Sequence, residues 1–534
     1  MDRDDLSAAL IAEMGAVFMT ALEDALPALL TSPLAPLEQQ VRQMGRMVMG
    51  ALVTRVAAAQ AATLPLETCP ACDGLLRCVQ RARTRHLQGL VGDDTLPRAC
   101  YVCVACGQSH VPLAAHLELG AGSLSPGLAR VVCGAGLDDA VARAVEHVEE
   151  ALGVQVSAEV VRRTTEAMGQ VAEAPVQAAM TRVAQGRRAW PASEAVQDAP
   201  VTGVLAVAVD GLFVHRDDAW HEMKVVTLAP LGPGVETDAD TQRERVVWGT
   251  ARYGAGCEEA QAFWGRVHVE ACRRGVGTPA VQTVVLLGEG ADWIWRTGRD
   301  VLGLPGVEVV ELLDLSHVYA YLWLVGTTVF GAGSAAAAAW VEPLKTRLYA
   351  QGAVPVQEAL ATLTQAMGGQ EPGVEESAAA GMVRRACAYF AEHAARLDDP
   401  AFVARALPIG SGAVESAGKT LVKARTNGAG MHGRGAGAQH VVSLRALHHS
   451  GRWEAFWASQ PQRTLLHLVP RQPRTCPTPA PTPAQAPRAA PPPAVPADQS
   501  PALPPADPPC TLPACCPAPT HPWRQPLHPR LRSA

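Results

Sequence analysis

Gly203-Val204-Leu205-Ala206-Val207-Ala208-Val209-Asp210 is an unbroken apolar run that ends on an acid. A short run of this kind, rich in Val and closed by a polar residue, reads as a strand buried on both faces. An acid in its last position stands on the rim of the sheet. Downstream, Arg216-Asp217-Asp218 is a polar turn, followed by strand patterns at Lys224–Ala229 and Arg245–Thr250. A helix pattern covers Glu258 to Arg273, and further strands are expected at Val281–Leu287 and Val307–Leu313.

Three strands, a helix and then further strands is the order of an α/β, ribonuclease-H-like sheet. Residues 315–405 are Ala-rich and helical in pattern, as an all-α insertion would be. Two more acids follow the same placement as Asp210. Glu289 comes directly after Val284-Val285-Leu286-Leu287-Gly288. Glu415 lies in Pro408-Ile409-Gly410-Ser411-Gly412-Ala413-Val414-Glu415-Ser416, where a Gly-rich turn enters a helix carrying Lys419, Lys423 and Arg425. Carboxylates on one sheet rim can hold two divalent cations over a phosphodiester, and adjacent cationic side chains grip phosphate. Mg²⁺ or Mn²⁺ is therefore expected at Asp210, Glu289 and Glu415. Asp314 and His317, at the end of another strand, are auxiliary candidates: the imidazole suits a phosphate contact, a carboxylate contact or a structural role. Ala413 to Thr420 nearly spells a phosphate-binding loop, but Ala413 replaces its first glycine and no buried strand precedes it.

Bulk properties narrow the class. The chain has 534 residues and a formal charge of −6, so contact with nucleic acid must come from local patches. No apolar stretch reaches the ~18 residues expected of a membrane span, and the start Met1-Asp2-Arg3-Asp4-Asp5 lacks a secretory pattern, which together predict a cytoplasmic protein with no membrane partner. Of the 14 cysteines, Cys69, Cys72, Cys103 and Cys106 form two CxxC pairs. Two such knuckles supply four thiolates to a tetrahedral Zn²⁺, with Cys78 and Cys100 as substitute ligands. The expected organisation is a helical region at 1–65, a zinc-ribbon-like module at 66–115, a helix-turn-helix-like region at 116–195 and the catalytic domain at 200–460. In the third of these, Ser125-Pro126 opens a helix, Leu137–Leu152 ends at Gly153, and Ser157 caps Ala158–Met168, which carries Arg162 and Arg163 as candidate DNA contacts. From 461 to 534 the chain is expected to be disordered, with 21 of the 43 prolines lying between Pro473 and Pro529.

At these residues the chain resembles the bacterial insertion-sequence transposases of the ISKra type. The resemblance runs through Val209-Asp210-Gly211 with Arg216, Trp220, Glu222 and Lys224, then Leu287-Gly288-Glu289-Gly290-Ala291 to Trp295. It continues at Leu313-Asp314 through His317 to Trp323. Its longest stretch is Gly410 to Gly430-Met431, followed by Leu444-Arg445-Ala446-Leu447 and Gly451-Arg452-Trp453-Glu454-Ala455-Phe456-Trp457. It implies a DDE triad, carried over as Asp210, Glu289 and Glu415, in a Mg²⁺-dependent enzyme. It further implies binding to the terminal inverted repeats of a mobile element and to target DNA, as a nucleoid-associated homo-oligomer. Two positions depart from the pattern: Glu289 stands where the family has Asp, and Gly433 where it has an aromatic residue. A carboxylate displaced by ~1 Å costs ~100-fold in rate, so a slowed enzyme is one expectation. A catalytically silent, zinc-containing DNA-binding descendant is the other.

Overall fold

A computed structural model of the chain describes residues 3–64, 67–120, 122–187, 201–217, 219–237, 244–367, 377–426 and 435–466. All of these fall within the compact unit Met1–Val469. The expected Pro-rich tail lies outside the described residues from 467 onward. Its first six positions instead finish a helix, so the boundary expected at 460 cuts through an element.

Two helices open the chain, α1 (Arg3–Leu29) and α2 (Leu34–Ala62), parted at Pro33, whose extended backbone cannot continue a helix. The absence of a membrane-length stretch needs correction here. Glu13, Glu23 and Asp24 interrupt the apolar runs in the sequence, yet Leu6–Leu29 has a mean hydropathy of 1.5. That makes it long and apolar enough to cross a membrane by length and composition. A three-stranded antiparallel sheet follows, β1 (Leu76–Gln88), β2 (Asp93–Cys103) and β3 (Ser109–His110), then α3 (Pro112–His116). The β1–β2 turn is pressed onto α2. A Cβ on Gly92 would lie 2.3 Å from the Arg46 carbonyl, so only glycine permits this approach.

Next come α4 (Pro126–Asp138), α5 (Val141–Leu152) and α6 (Ala158–Ala184). The expected caps form. Ser125 accepts a hydrogen bond from the Leu128 N–H, Ser157 accepts from Val160, and Gly153 ends α5 in the left-handed region. The expected helix over Leu137–Leu152 is broken at Asp139-Ala140, and α6 runs past Met168, because its face stays buried to Ala179, with Glu173 paired to buried Arg266.

The largest sheet comprises β4 (Gly203–Arg216), β5 (Ala219–Thr237), β6 (Glu244–Trp248), β7 (Arg252–Gly256), β8 (Val281–Gly288) and β9 (Glu308–Leu313). Helices α7 (Ala260–Arg273) and α8 (Asp292–Leu302) flank β8 in the chain. The order is β6-β5-β4-β8-β9, with β7 on β5; β4 runs antiparallel to β5 and parallel to β8, which runs parallel to β9. The strand expected at Arg245–Thr250 is β6, and a further strand, β7, pairs with β5 beside the core, where its two glycines hid it in the sequence.

The strand expected to end at Asp210 continues to Arg216. Asp210 pairs with Val225 across β5, so Asp210-Gly211 is no turn. Pairing with β8 nevertheless stops at Val209↔Gly288, and the β4–β5 hairpin projects past the parallel strands. Asp210 occupies that step, which puts its carboxylate on the rim even though its own strand runs on.

After β9 come α9 (Leu315–Phe330), α10 (Ala335–Gln351), α11 (Val354–Ala366), α12 (Ala378–Glu392) and α13 (Asp399–Ala404). The chain then forms α14 (Gly412–Ala417), a π-helical turn (Gly418–Lys423), α15 (Ala424–Thr426), α16 (Gly435–His449) and α17 (Trp453–Leu466). Both sheet faces are covered. Leu205, Val207 and Val209 pack with Trp264, Ile294 and Val318, while Ala206, Ala208 and Leu212 pack with Val414, Leu421 and Val442. The two-residue period therefore turns Asp210 toward the face covered by α14. Gly298 on α8 shows how tightly the first face is filled: a Cβ there would meet Leu286 and Trp264, each at 2.7 Å. Gly298→Ala is expected to destabilise the protein by ~1–3 kcal/mol through overpacking, read as a lowered denaturation midpoint. An unchanged midpoint would show that this core yields.

Candidate functional site

The acidic residues come together through Asp314. It follows β9 and caps α9, and its N–H donates to the Gly288 carbonyl at 2.9 Å, tying the ends of β8 and β9 together. Its carboxylate accepts from the His317 N–H at 3.1 Å, from His317 Nδ1 at 2.5 Å and from the Ser411 N–H at 2.6 Å. The Leu315 N–H donates to the Ile409 carbonyl at 3.1 Å. These bonds lay the Gly-rich loop before α14 against the rim and so deliver Glu415. Asp314 is fully buried and already accepts three hydrogen bonds, which makes it a positioning group rather than a free donor to a cation.

One ligand atom from each of Asp210, Glu289 and His317 lies within 4.8 Å of the others, and the same holds for Asp314, His317 and Glu415. Two oxygens on one Mg²⁺ are at most ~4.2 Å apart, so modest side-chain rotation brings the first group to ligating distance, and the second sets Glu415 beside the same histidine. His317 joins the two groups. Its Nδ1 bonds the Asp314 carboxylate, the kind of contact by which a carboxylate orients a metal-binding imidazole. A structural role was as much expected for His317 as a functional one, and its place in both groups favours membership of the centre.

Charge crowding shows in the protonation equilibria. Burial, with help from the Asp210 charge, pushes Glu289 up to about 8. Asp210 is also raised, first by burial and then by Glu415 and Asp314, against the pull of His317. Burial works against both members of the Asp314–His317 pair. Their hydrogen bond wins, lowering Asp314 and raising His317 to about 9. A rim that cannot carry all its negative charge alone is a site that gains from a cation.

A pH dependence follows. The ordinary value for Glu289 is 4.5, so the folded protein binds a proton that the unfolded chain releases between there and about 8. Folding stability then falls as pH rises through that window. His317 gives the same sign from pH 6.5 to about 9. In chelator, Glu289→Gln is expected to flatten the fall in Tm from pH 5 to 8 and to raise Tm at pH 8 by several degrees. Parallel curves for the two proteins would contradict this.

The longer arm of Glu289 still reaches Asp210 and His317. Asp292, the next acid in the chain after Glu289, is 60% exposed and paired with Arg296 at 2.9 Å, so it does not stand in for Glu289. Sequence reading missed Tyr389 on α12, which packs at a tilt of 50° against Tyr321 with ring centroids 4.6 Å apart. A Cβ on Gly290 would lie 2.7 Å from the Tyr389 hydroxyl, so the tyrosine walls the site beside Glu289. No local pattern marks it. Lys224, almost buried, bonds Glu222 at 2.8 Å and the Glu258 carbonyl at 3.2 Å beside the same rim.

The candidate DNA contacts separate into two kinds. Lys419 and Lys423 are exposed, although the π-helical turn breaks the regular four-residue alignment expected with Glu415. Arg425 is half-buried and donates to the Gly136 carbonyl at 3.1 Å. Arg162 is held between Glu159 and Glu166, both at 2.7 Å, and exposed Arg163 lies 4.0 Å from Glu159. Gly433 lies outside the described residues.

The four cysteines form a second centre. Cys69 and Cys106 sulfurs are 3.7 Å apart, and those of Cys72 and Cys103 are 3.5 Å apart. Thiolates on a tetrahedral Zn²⁺ at ~2.3 Å stand ~3.8 Å apart, so the donor set fits. Backbone bonds from Cys69 N–H to the Gly74 carbonyl and from Cys103 N–H to the Gln108 carbonyl, each 2.9 Å, close the two knuckles. The Cys106 N–H foremost pulls the Cys103 thiol down to about 6. Against the Gly74 N–H, bonds to Cys106 and Cys103 push Cys72 up to about 12. Cys78 and Cys100 stand outside the cluster, on the strands. His110 Nε2 lies 3.2 Å from Cys69 Sγ, a contact that spacing alone did not reveal.

No family model matches the chain, and no curated protein matches it.

Proposed function

We propose that the chain is a DDE-type DNA transposase with a ribonuclease-H-like catalytic domain, a helical insertion over α9–α13 and a zinc ribbon. The observation that carries this reading is the gathering of Asp210, Glu289 and Glu415 about His317, from three elements far apart in the chain. The sheet order β7-β5-β4-β8-β9, antiparallel then parallel, supports it too, as do the many helices between β9 and α14. Asp210, Glu289 and Glu415 would hold the Mg²⁺ or Mn²⁺ pair, with His317 at their junction. Such a pair activates the attacking water or 3′-hydroxyl and steadies the departing oxygen. Asp314 fixes the ring of His317, Tyr389 restricts solvent beside Glu289, and Lys419 and Lys423 meet the phosphates. Zn²⁺ fits the cysteines, and the partners in this reading are the element's inverted repeats and target DNA, bound as a homo-oligomer at the bacterial nucleoid.

The test uses duplexes taken from the genomic flanks of the coding region. Strand cleavage and joining with Mg²⁺ or Mn²⁺, and neither in chelator, is the expected result. DNA binding without cleavage under any divalent metal would instead favour the silent DNA-binding descendant. In that event, activity regained with Glu289→Asp would locate the defect.

A further inference from the structure

We propose that the β1–β2 ribbon is a further DNA-binding surface, with Arg77, Arg81, Arg83 and Arg98 gripping the backbone of duplex DNA. The inference rests on the transposase reading and adds to it a contact outside the catalytic rim.

The ribbon concentrates positive charge in an acidic chain, its two acids, Asp93 and Asp94, lying at the turn end. Residues 74–92 hold four arginines and no acid, in a chain whose formal charge is −6. Elsewhere, surface arginines such as Arg55, Arg130, Arg162 and Arg296 each meet a carboxylate. Among the described residues no carboxylate lies within ion-pair distance of Arg77, Arg81, Arg83 or Arg98. The first three are exposed. Arg83 stands directly opposite Arg98, and like charges so placed destabilise a ribbon unless something else neutralises them. The Arg98 Nε is buried with no hydrogen-bond partner among the described residues. Arg85 is not part of the grip, since the Gly120 and Gly122 carbonyls hold it.

Geometry favours a duplex as the polyanion. From Cys78 to Arg83, β1 advances five residues while β2 advances three, from Tyr101 to Arg98, so β1 carries two bulged residues. Bulges increase the twist of a strand pair, and a two-stranded ribbon fits the major groove. Alternate residues on a strand are ~6.6 Å apart, close to two ~3.4 Å nucleotide rises. Both ends of the ribbon are anchored. The cysteine knuckles close one end, where Leu76 pairs with Cys103. Arg46 holds the other, donating to the Leu90 carbonyl at 3.0 Å.

The experiment compares the full-length protein with its Arg77→Gln/Arg81→Gln/Arg83→Gln variant on a labelled duplex by fluorescence anisotropy across a salt series. At 100 mM salt the variant is expected to bind at least tenfold more weakly, and its salt slope should fall by about 3, near 0.9 per lost phosphate contact. Zinc content and thermal midpoint should match the parent, and the triple Arg→Lys variant should recover most of the affinity. Parent-like affinity and slope in the Gln variant would overturn the ribbon contact while leaving the transposase reading standing. So would loss of affinity traceable to lost zinc. Failure of the Lys variant to recover would overturn the backbone grip, and equal affinity for single-stranded RNA would overturn the preference for duplex. A parent protein that binds no DNA would remove the underlying reading as well.

Discussion

Asp210→Asn is expected to lower metal-dependent strand cleavage by at least ~10³-fold while leaving DNA affinity within about twofold. The substitution keeps size and shape but removes the charge at the step where β4 outlasts β8, and a cation held by one carboxylate fewer is both weakened and misplaced. The same change relieves repulsion. Glu289 is pushed up by burial and by Asp210, so in the variant its apparent pKa should fall and the chelated protein should melt no lower than the parent. Loss of cleavage with preserved or raised Tm separates a catalytic role from a structural one. A variant that cleaves at parental rate would remove Asp210 from the centre. The corresponding change at surface-exposed Asp292, Asp292→Asn, should leave cleavage unaltered.

Cys103→Ser is expected to lower bound zinc from one equivalent to none and to loosen the knuckles without unfolding the central sheet. Cys103 is buried, its thiol pKa is lowered first by the Cys106 N–H, and it ends the strand that pairs with Leu76. Structural Zn²⁺ contributes ~10–16 kcal/mol of apparent binding energy, which becomes folding energy where the module's own core is small. That core is small here: Ala57, Leu87, Leu96 and Leu113 are its buried members. Limited proteolysis should therefore cut the variant between residues 67 and 110 while the region from β4 to β9 stays protected. Equal zinc content and equal protection in variant and parent would refute the four-thiolate assignment. Because Cys78 and Cys100 stand outside the cluster, Cys100→Ser should retain zinc.

The parts of this molecule governed by local rules were legible in its sequence. Caps at Ser125 and Ser157, the stop at Gly153, the CxxC knuckles and the apolar strands β4, β8 and β9 each follow from residues adjacent in the chain. What tertiary pairing decides was not. Asp210 looked like a strand terminus because the apolar run stops there. Yet β5 supplies a partner for every residue up to Arg216, and the rim is made by the end of β8 instead. β7 was hidden by Gly254 and Gly256, which serve close approach to β5 rather than a turn. Within the site, Asp210, Glu289 and Glu415 were readable from their flanking elements. Tyr389 was not, because only the packing of α12 onto the Gly290 loop brings it there. Arg162 shows another effect of neighbours: a cation on a helix suggested DNA, and in the fold Glu159 and Glu166 pair with it.

Anomalous diffraction from crystals soaked in Mn²⁺ tests the central claim most directly. The account predicts two peaks ~3.5–4 Å apart at the sheet rim, with the carboxylates of Asp210, Glu289 and Glu415 among their ligands and His317 at their junction. Peaks confined to other surfaces, or none at all in crystals of otherwise ordered protein, would contradict it.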